Sequence, residues 1–143
     1  MNTRRTTITI KAPNFSRLKI IMKDEMDRAS QDITNHLLTW IETNTGNGGS
    51  HYQERTGKLK SATKVTGSLD KEIRLFIDRR MVKYGEWILS GKRKGQNGVV
   101  TWHGDPYIDE CILANQKWID DRVEKAIGDS LVRFKNEPLR EVR

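Results

Sequence analysis

An α+β fold is expected for this chain of 143 residues, and three observations lead to it. Two long stretches place apolar residues every three or four positions, as amphipathic helices do. Short β-branched runs gather between them. Helices and strands are segregated along the chain rather than alternating, which favours helices laid against an antiparallel sheet. The expected architecture is two long amphipathic helices packed on a small, mainly antiparallel sheet, with a short helix and a basic Gly-rich loop. One domain covers 1–143, with 5–136 as its structured core, 44–52 and 91–98 as flexible loops, and 137–143 as a basic tail.

Thr6-Thr7-Ile8-Thr9-Ile10 is β-branched and alternating, the pattern of a strand. Ala12-Pro13-Asn14 breaks it, and Asn14 is placed to cap the helix that follows. Leu18, Met22, Met26, Ala29, Ile33, Leu37 and Trp40/Ile41 form one stripe, so a helix is expected from Asn14 to Thr43. The run Asn44 to Ser50, with three glycines and two asparagines, ends it. Ala62–Thr66 and Glu72–Asp78 read as two strands around Gly67-Ser68-Leu69-Asp70, with Ile73, Leu75 and Ile77 sharing a face. A short helix over Arg79–Ser90 and a strand at Val99–Trp102 bracket Gly91–Gly98, which holds three glycines and three cations and is expected as a mobile hairpin tip or loop. Asp105-Pro106 is a helix start, because aspartate caps free amides and proline fits the first turn. Ile108, Ile112, Ile119, Val123, Ala126/Ile127, Leu131 and Phe134 carry the stripe on to Pro138. Gly128 inside that helix is expected to mark close packing or a bend.

The bulk numbers bound the function. Lys and Arg total 26 against 19 Asp and Glu, a formal net charge of +7. The cations are spread along the chain, so solvated surface charge is the first reading and a polyanion nearby the second. Hydrophobic content of 35% makes a thin core for an isolated monomer, and four strands are too few to close a barrel. Open sheet edges take partners, which argues for assembly. A single cysteine, Cys111, excludes an internal disulfide and a thiolate zinc cluster. No apolar run reaches the ~20 residues that span a bilayer, so no membrane partner is expected. The polar segment after Arg4-Arg5 does not make a signal-peptide core, and a soluble protein of the reducing cytoplasm is expected.

Catalytic patterns are thin. His36, His51 and His103 stand far apart without metal-ligand spacing, and His36 on a helix flank reads as structural. Cys111 falls near the last helix stripe, where thiols are inert. Lys92-Arg93-Lys94 between glycines lacks the Gly-Lys-Ser/Thr ending of a phosphate loop. A metal-dependent nuclease built on Asp70, Lys71, Glu72 and Asp78 is one alternative, but alternation puts Glu72 and Asp78 on the exposed face. A small basic nucleic-acid-binding protein, using the basic loop beside Tyr84, Trp87 and Trp102, is another. Packing explains aromatics at helical spacing better than stacking on bases does. No catalytic, cofactor-binding or metal-binding residue is assigned, and no cofactor.

Three signatures follow one another between Arg55 and Phe134. The first is Arg55-Thr56-Gly57-x-Leu59. The second is Tyr84-Gly85-x-Trp87, continuing to Ser90-Gly91. The third is Asp105-Pro106-Tyr107-Ile108. In this order they resemble the tail-component family of tailed bacteriophages, the neck or tail-completion proteins. That family has Arg-Thr-Gly-x-Leu, a Tyr-Ala-x-x-Val-Glu-x-Gly-Thr segment and a Pro-Phe helix start. This chain departs from the pattern at Leu89-Ser90-Gly91-Lys92, which lacks the glutamate, and at Pro106-Tyr107.

The resemblance implies a structural virion protein: a ring of copies in the neck that joins the head connector to the tail tube. It implies assembly in the host bacterial cytoplasm and residence in the virion. Implied partners are other copies, the head-connector, tail-terminator or tail-tube proteins, and non-specific contact with genomic DNA in the lumen. Lys92, Arg93 and Lys94 are the residues expected to meet a neighbour or the lumen.

Overall fold

The computed structural model describes residues 7–44, 61–81, 92–95, 98–101 and 107–142, with 92–95 and 98–101 described by their backbone. The elements are β1 (Lys11–Ala12), α1 (Phe15–Asn44), β2 (Thr63–Gly67), β3 (Ile73–Ile77), β4 (Lys92–Gly95), β5 (Gly98–Thr101), α2 (Tyr107–Lys135) and β6 (Arg140–Glu141). The fold is α+β: two long helices pack along each other, and a β-hairpin lies against them. Among the described residues the strands form three separate antiparallel pairs, β1–β6, β2–β3 and β4–β5, rather than one sheet.

The two helices hold the core. Helix α1 has 30 residues and α2 has 29, each roughly 45 Å long at 1.5 Å per residue. Their shared seam is Ile21, Glu25, Ala29, Ile33, Leu37 and Ile41 on α1, against Tyr107, Cys111, Asn115, Ala126 and Ser130 on α2. Successive seam positions are mostly four residues apart, the row that interdigitates when long helices pack. Ala29, Ala126 and Ser130 are fully buried, and their size lets the backbones approach closely. The hydroxyls of Ser30 and Ser130 each donate to the carbonyl four residues back, Met26 and Ala126, at 2.7 Å, so neither is buried unsatisfied. Full burial of an Ile or Leu side chain contributes roughly 1.5–3 kcal/mol, and Ile21, Ile33, Leu37 and Ile41 supply most of that.

This seam corrects the expected stripes. Leu18, Met22 and Met26 on α1 are half-buried, while Ile112, Ile127 and Leu131 on α2 are exposed. Each lies one residue beyond a seam position or its continuation, about 100° round the helix. These members of the stripes therefore mark the flank of the helix pair, whereas Ala29, Ile33, Leu37, Ile41 and Ala126 of the same stripes lie in its seam, beside residues the stripes left out such as Ile21, Glu25, Asn115 and Ser130.

The hairpin covers part of that flank. Strands β2 and β3 pair Thr63 with Ile77, Val65 with Leu75 and Gly67 with Ile73. Ile73, Leu75 and Ile77 are half-buried and Arg74 and Phe76 exposed, the alternation the sequence predicts. Gly67 has φ 108°, and a Cβ there would collide with the Glu72 carbonyl, so the turn requires glycine. The hairpin is fixed to α1 where Leu69 N donates to Ser30 Oγ at 2.9 Å.

Other expectations change. Asn14 does not cap α1 with its side chain: its carbonyl accepts from Arg17 N at 2.9 Å, but Asn14 Oδ1 is buried without a partner. Contacts across the molecule tie down this end instead, Phe15 against Phe134 (5.6 Å between rings) and Arg17 to Glu137 (3.3 Å). Gly128 is exposed with open space where a Cβ would stand, so neither close packing nor a neighbour accounts for it. Strand pairing at the start is limited to Lys11–Ala12 rather than 6–10, because its partner β6 is two residues long. That partner lies in the segment expected as a free basic tail, and Val142 N donating to Ile10 O at 2.8 Å extends the bridge. The segment expected as a basic loop is a ribbon: β4 and β5 pair Lys92 with Thr101 and Gly95 with Gly98. Only two residues separate these strands, the spacing of a tight hairpin. The expected short helix over Arg79–Ser90 lies outside the described residues beyond Met81.

Candidate interaction surface

The third signature is where the sequence-selected residues meet the fold. Tyr107, the first residue of α2, is 1% exposed, and its hydroxyl pairs with Thr63 Oγ1 of β2 at 2.9 Å in a buried bond. It joins the last helix to the hairpin. Ile108 beside it lies against β3, lining with Leu75 and Ile77 an open groove of about 750 Å³. Arg55, Thr56, Gly57, Leu59, Tyr84, Gly85, Trp87, Gly91 and Pro106 lie outside the described residues. Lys92, Arg93 and Lys94 occupy consecutive register positions on β4, opposite Thr101, Val100 and Val99.

Two polar clusters stitch the helices together, and sequence reasoning missed both. In the first, the His36 ring stacks on Trp118 at 3.8 Å and 2°. Asn115 Nδ2 donates to the Cys111 carbonyl at 2.6 Å, which turns Asn115 Oδ1 toward His36 Nε2 at 2.8 Å. An amide oxygen only accepts, so His36 Nε2 carries the proton. In the second, Arg133 Nη1 donates to Asp24 Oδ2 at 2.6 Å and to buried Glu25 Oε1 at 2.8 Å. The Arg133 hydrogen bond holds the Asp24 carboxyl below its ordinary value. Arg28 adds contacts of 3.3 and 3.8 Å to the same two acids. A further tie, Arg122 to Asp32 at 2.8 Å, leaves Arg122 Nη1 buried without a partner. No local spacing rule signals ties between residues 79 to 109 positions apart.

Their chemistry is structural. Burial pushes the Cys111 thiol up to about 11, so it is neither a nucleophile nor a soft ligand near neutral pH. Among the described residues no group of three or more His, Cys, Asp and Glu side chains could hold a metal ion. The residues weighed for a nuclease point elsewhere. Asp78 accepts from Arg80 at 3.0 to 3.2 Å, Asp70 accepts from Ser68, and Glu72 pairs with Arg74 at 2.7 Å. No described helix is long and apolar enough to cross a membrane.

Some of the exposed apolar residues share one side of the helix pair, while others such as Ile20, Leu113 and Val132 stand at other positions round the helices. Ser30 on α1 receives the hairpin turn and Ile108 on α2 meets β3, so the flank one residue past each seam faces the sheet side on both helices. The hairpin covers that flank only from Ser30 upward. Below it, Phe15, Leu18, Met22 and Met26 line an apolar groove of about 580 Å³, rimmed by Lys19, Lys23, Asp27 and Asp70. On the same side α2 presents Ile127 and Leu131, and Phe134 touches Phe15. Phe15 is 66% exposed and Leu131 55%; exposed singly such residues are ordinary, but grouped beside an apolar groove they are usual for a surface that is covered in use.

No family model, curated protein or solved structure matches the chain.

Proposed function

We propose that this chain is a structural subunit of a tailed-bacteriophage virion, forming a ring in the neck or tail-completion region that joins head connector to tail tube. Two things support the reading. The first is the order of the Arg55-Thr56-Gly57-x-Leu59, Tyr84-Gly85-x-Trp87 and Pro106-Tyr107-Ile108 signatures along the sequence. The second carries it: the exposed apolar flank and the open hairpin edge are contact features, and the polar clusters inside are spent on holding two helices together.

A ring subunit presents two complementary surfaces to its neighbours, because head-to-tail contacts close a cycle. The β3 edge with its groove beside Ile108 supplies one class of surface, and the lower helix flank another. Lys92, Arg93 and Lys94 are assigned to a neighbouring ring or to the lumen, where cations meet DNA phosphates without reading sequence.

The deciding experiment removes the chain from a phage infection and images the products. Filled heads and finished tails lying apart, rejoined when the protein is supplied, fit the proposal. Normal virions without it overturn the proposal. Salt-sensitive binding of free DNA by the purified subunit, with joining intact, favours the nucleic-acid-binding alternative.

A further inference from the structure

We infer that the outer edge of β3 is a self-pairing surface: in the free subunit it binds β3 of a second copy, antiparallel, about a two-fold axis at Phe76. Asp78 N donates to Ala62 O at 2.7 Å and Ser68 N to Glu72 O at 3.0 Å, at the two ends of the β2–β3 register. Bonding alternates along an antiparallel ladder. Glu72, Arg74, Phe76 and Asp78 therefore turn their backbone groups to β2, while Ile73, Leu75 and Ile77 turn theirs outward. Among the described residues no strand pairs with that side. The groove of about 750 Å³ beside Ile108 is lined by β3 residues of both faces and by none of β2, so it runs along this edge.

The order of side chains selects the occupant. With the axis at Phe76, Leu75 bonds opposite Ile77 of the second copy, on the helix side of the strand. On the other face Phe76, 38% exposed, meets Phe76 of the second copy, and Arg74 meets Asp78 of the second copy. Aromatic and opposite-charge pairs across strands are stabilising. Neighbouring registers lose them. An axis at Arg74 sets that cation against itself, one at Leu75 sets Glu72 against Asp78, and one at Ile77 sets Phe76 against Asp78. Within each chain Arg74 already pairs with Glu72 at 2.7 Å, and Asp78 with Arg80 at 3.2 Å. The joint lines these pairs up as one row of alternating charge, so neither has to break.

This self-pairing does not depend on the ring proposed above, which assigns the same edge to a head-to-tail neighbour. The two contacts exclude each other. The edge is thus closed while the subunit is free, and a ring neighbour displaces the second copy. One short strand on another lies at the low end of specific interfaces, below about 1,200 Å², so the dimer is weak and exchanges readily.

The test is the mass of the full chain by sedimentation equilibrium over a concentration series. The expected mass rises from 16.6 kDa toward twice that. Phe76→Asp should weaken association at least about tenfold, with unchanged circular dichroism. Arg74→Asp and Asp78→Arg each create like charges across the joint and should be monomeric alone, whereas their equimolar mixture should associate. Phe76→Cys should oxidise to a disulfide dimer, because a residue on the axis lies about 4.5 Å from its copy at a non-hydrogen-bonded position. Arg74→Cys should not, being roughly 13 Å from its copy at 3.3 Å per residue. Cys111 is buried and does not interfere.

A constant monomer mass up to about 1 mM overturns the inference. So does association that Phe76→Asp leaves intact, or cross-linking of Arg74→Cys as fast as that of Phe76→Cys. A subunit that never dimerises yet restores head–tail joining removes this inference and leaves the proposed function standing. A subunit that dimerises through Phe76 but is dispensable for joining does the reverse.

Discussion

Tyr107 is the one signature residue whose structural task is visible, so its replacement tests how the last helix is attached. Removing the hydroxyl with Tyr107→Phe breaks the 2.9 Å bond to Thr63 Oγ1 in a buried setting. A net loss of about 0.5–1.5 kcal/mol is expected from one intramolecular hydrogen bond. Tyr107→Ala also removes a ring that is 1% exposed and packed with Ile33, Leu37, Ile41, Ala62 and Cys111. Large aromatic truncations of this kind cost about 3–5 kcal/mol, a large part of the 5–15 kcal/mol that holds a typical domain. Urea unfolding followed by circular dichroism reads both, and at about 1–3 kcal/mol per molar the Phe variant should shift the midpoint by a few tenths of a molar. A cycle with Thr63→Val should return a coupling of about 1 kcal/mol. Additive single effects, or Tyr107→Ala within about 0.5 kcal/mol of the parent, would refute the attachment argument.

Gly67 and Gly128 should respond with opposite signs. Gly128→Ala should raise stability by roughly 1 kcal/mol, read as a higher urea midpoint, because the methyl enters open space on a helix. Gly67→Ala should lose about 1–3 kcal/mol, because φ 108° and the Glu72 carbonyl both oppose it. Asp24, Asp78 and Asp129 are held below their ordinary value of 3.8 mainly by hydrogen bonds from Arg133, Arg80 and Lys125. A carboxylate depressed in the fold contributes stability that is complete above the unfolded value and lost as pH falls through the folded one. Thermal midpoints should therefore hold level down to about pH 4 and decline below it, with a shallower decline in Arg133→Gln. Cys111 should resist thiol reagents at pH 8 in the native protein and react at the rate of unfolding; rapid native labelling would contradict its burial.

The long helices and the hairpin were legible because each depends on a local rule. Apolar spacing marked 15–44 and 107–135, and alternation marked Ile73, Leu75 and Ile77. The line along which the helices meet was legible in part: Ala29, Ile33, Leu37, Ile41 and Ala126 stood in the expected stripes, but Met22, Met26, Ile127 and Leu131 beside them belong to the flank. Counting apolar residues finds the greasiest face, whereas close approach of two backbones also favours a small polar residue such as Ser130. The seam also admits Glu25 and Asn115, whose partners Arg133 and His36 lie 108 and 79 residues away. Spacing rules see four residues ahead and cannot see that far. The pairing of 92–95 with 98–101 was legible in part: a strand was expected at 99–102 and a hairpin tip or loop at 91–98, but 92–95 was not expected as a strand because glycines and cations score poorly as strand formers.

The meeting of β1 with β6 bears on how this protein would respond to force. Residues 11–12 bind residues 140–141, and Arg17 reaches Glu137, so both ends of the described chain leave from the same end of the helix pair. Tension applied between those ends opens the molecule like a zipper, breaking the bridge and then the seam one contact at a time, rather than sliding the helices past each other with all contacts resisting at once. The fold therefore resists force applied across the flanks of the helix pair better than force applied between its two described ends.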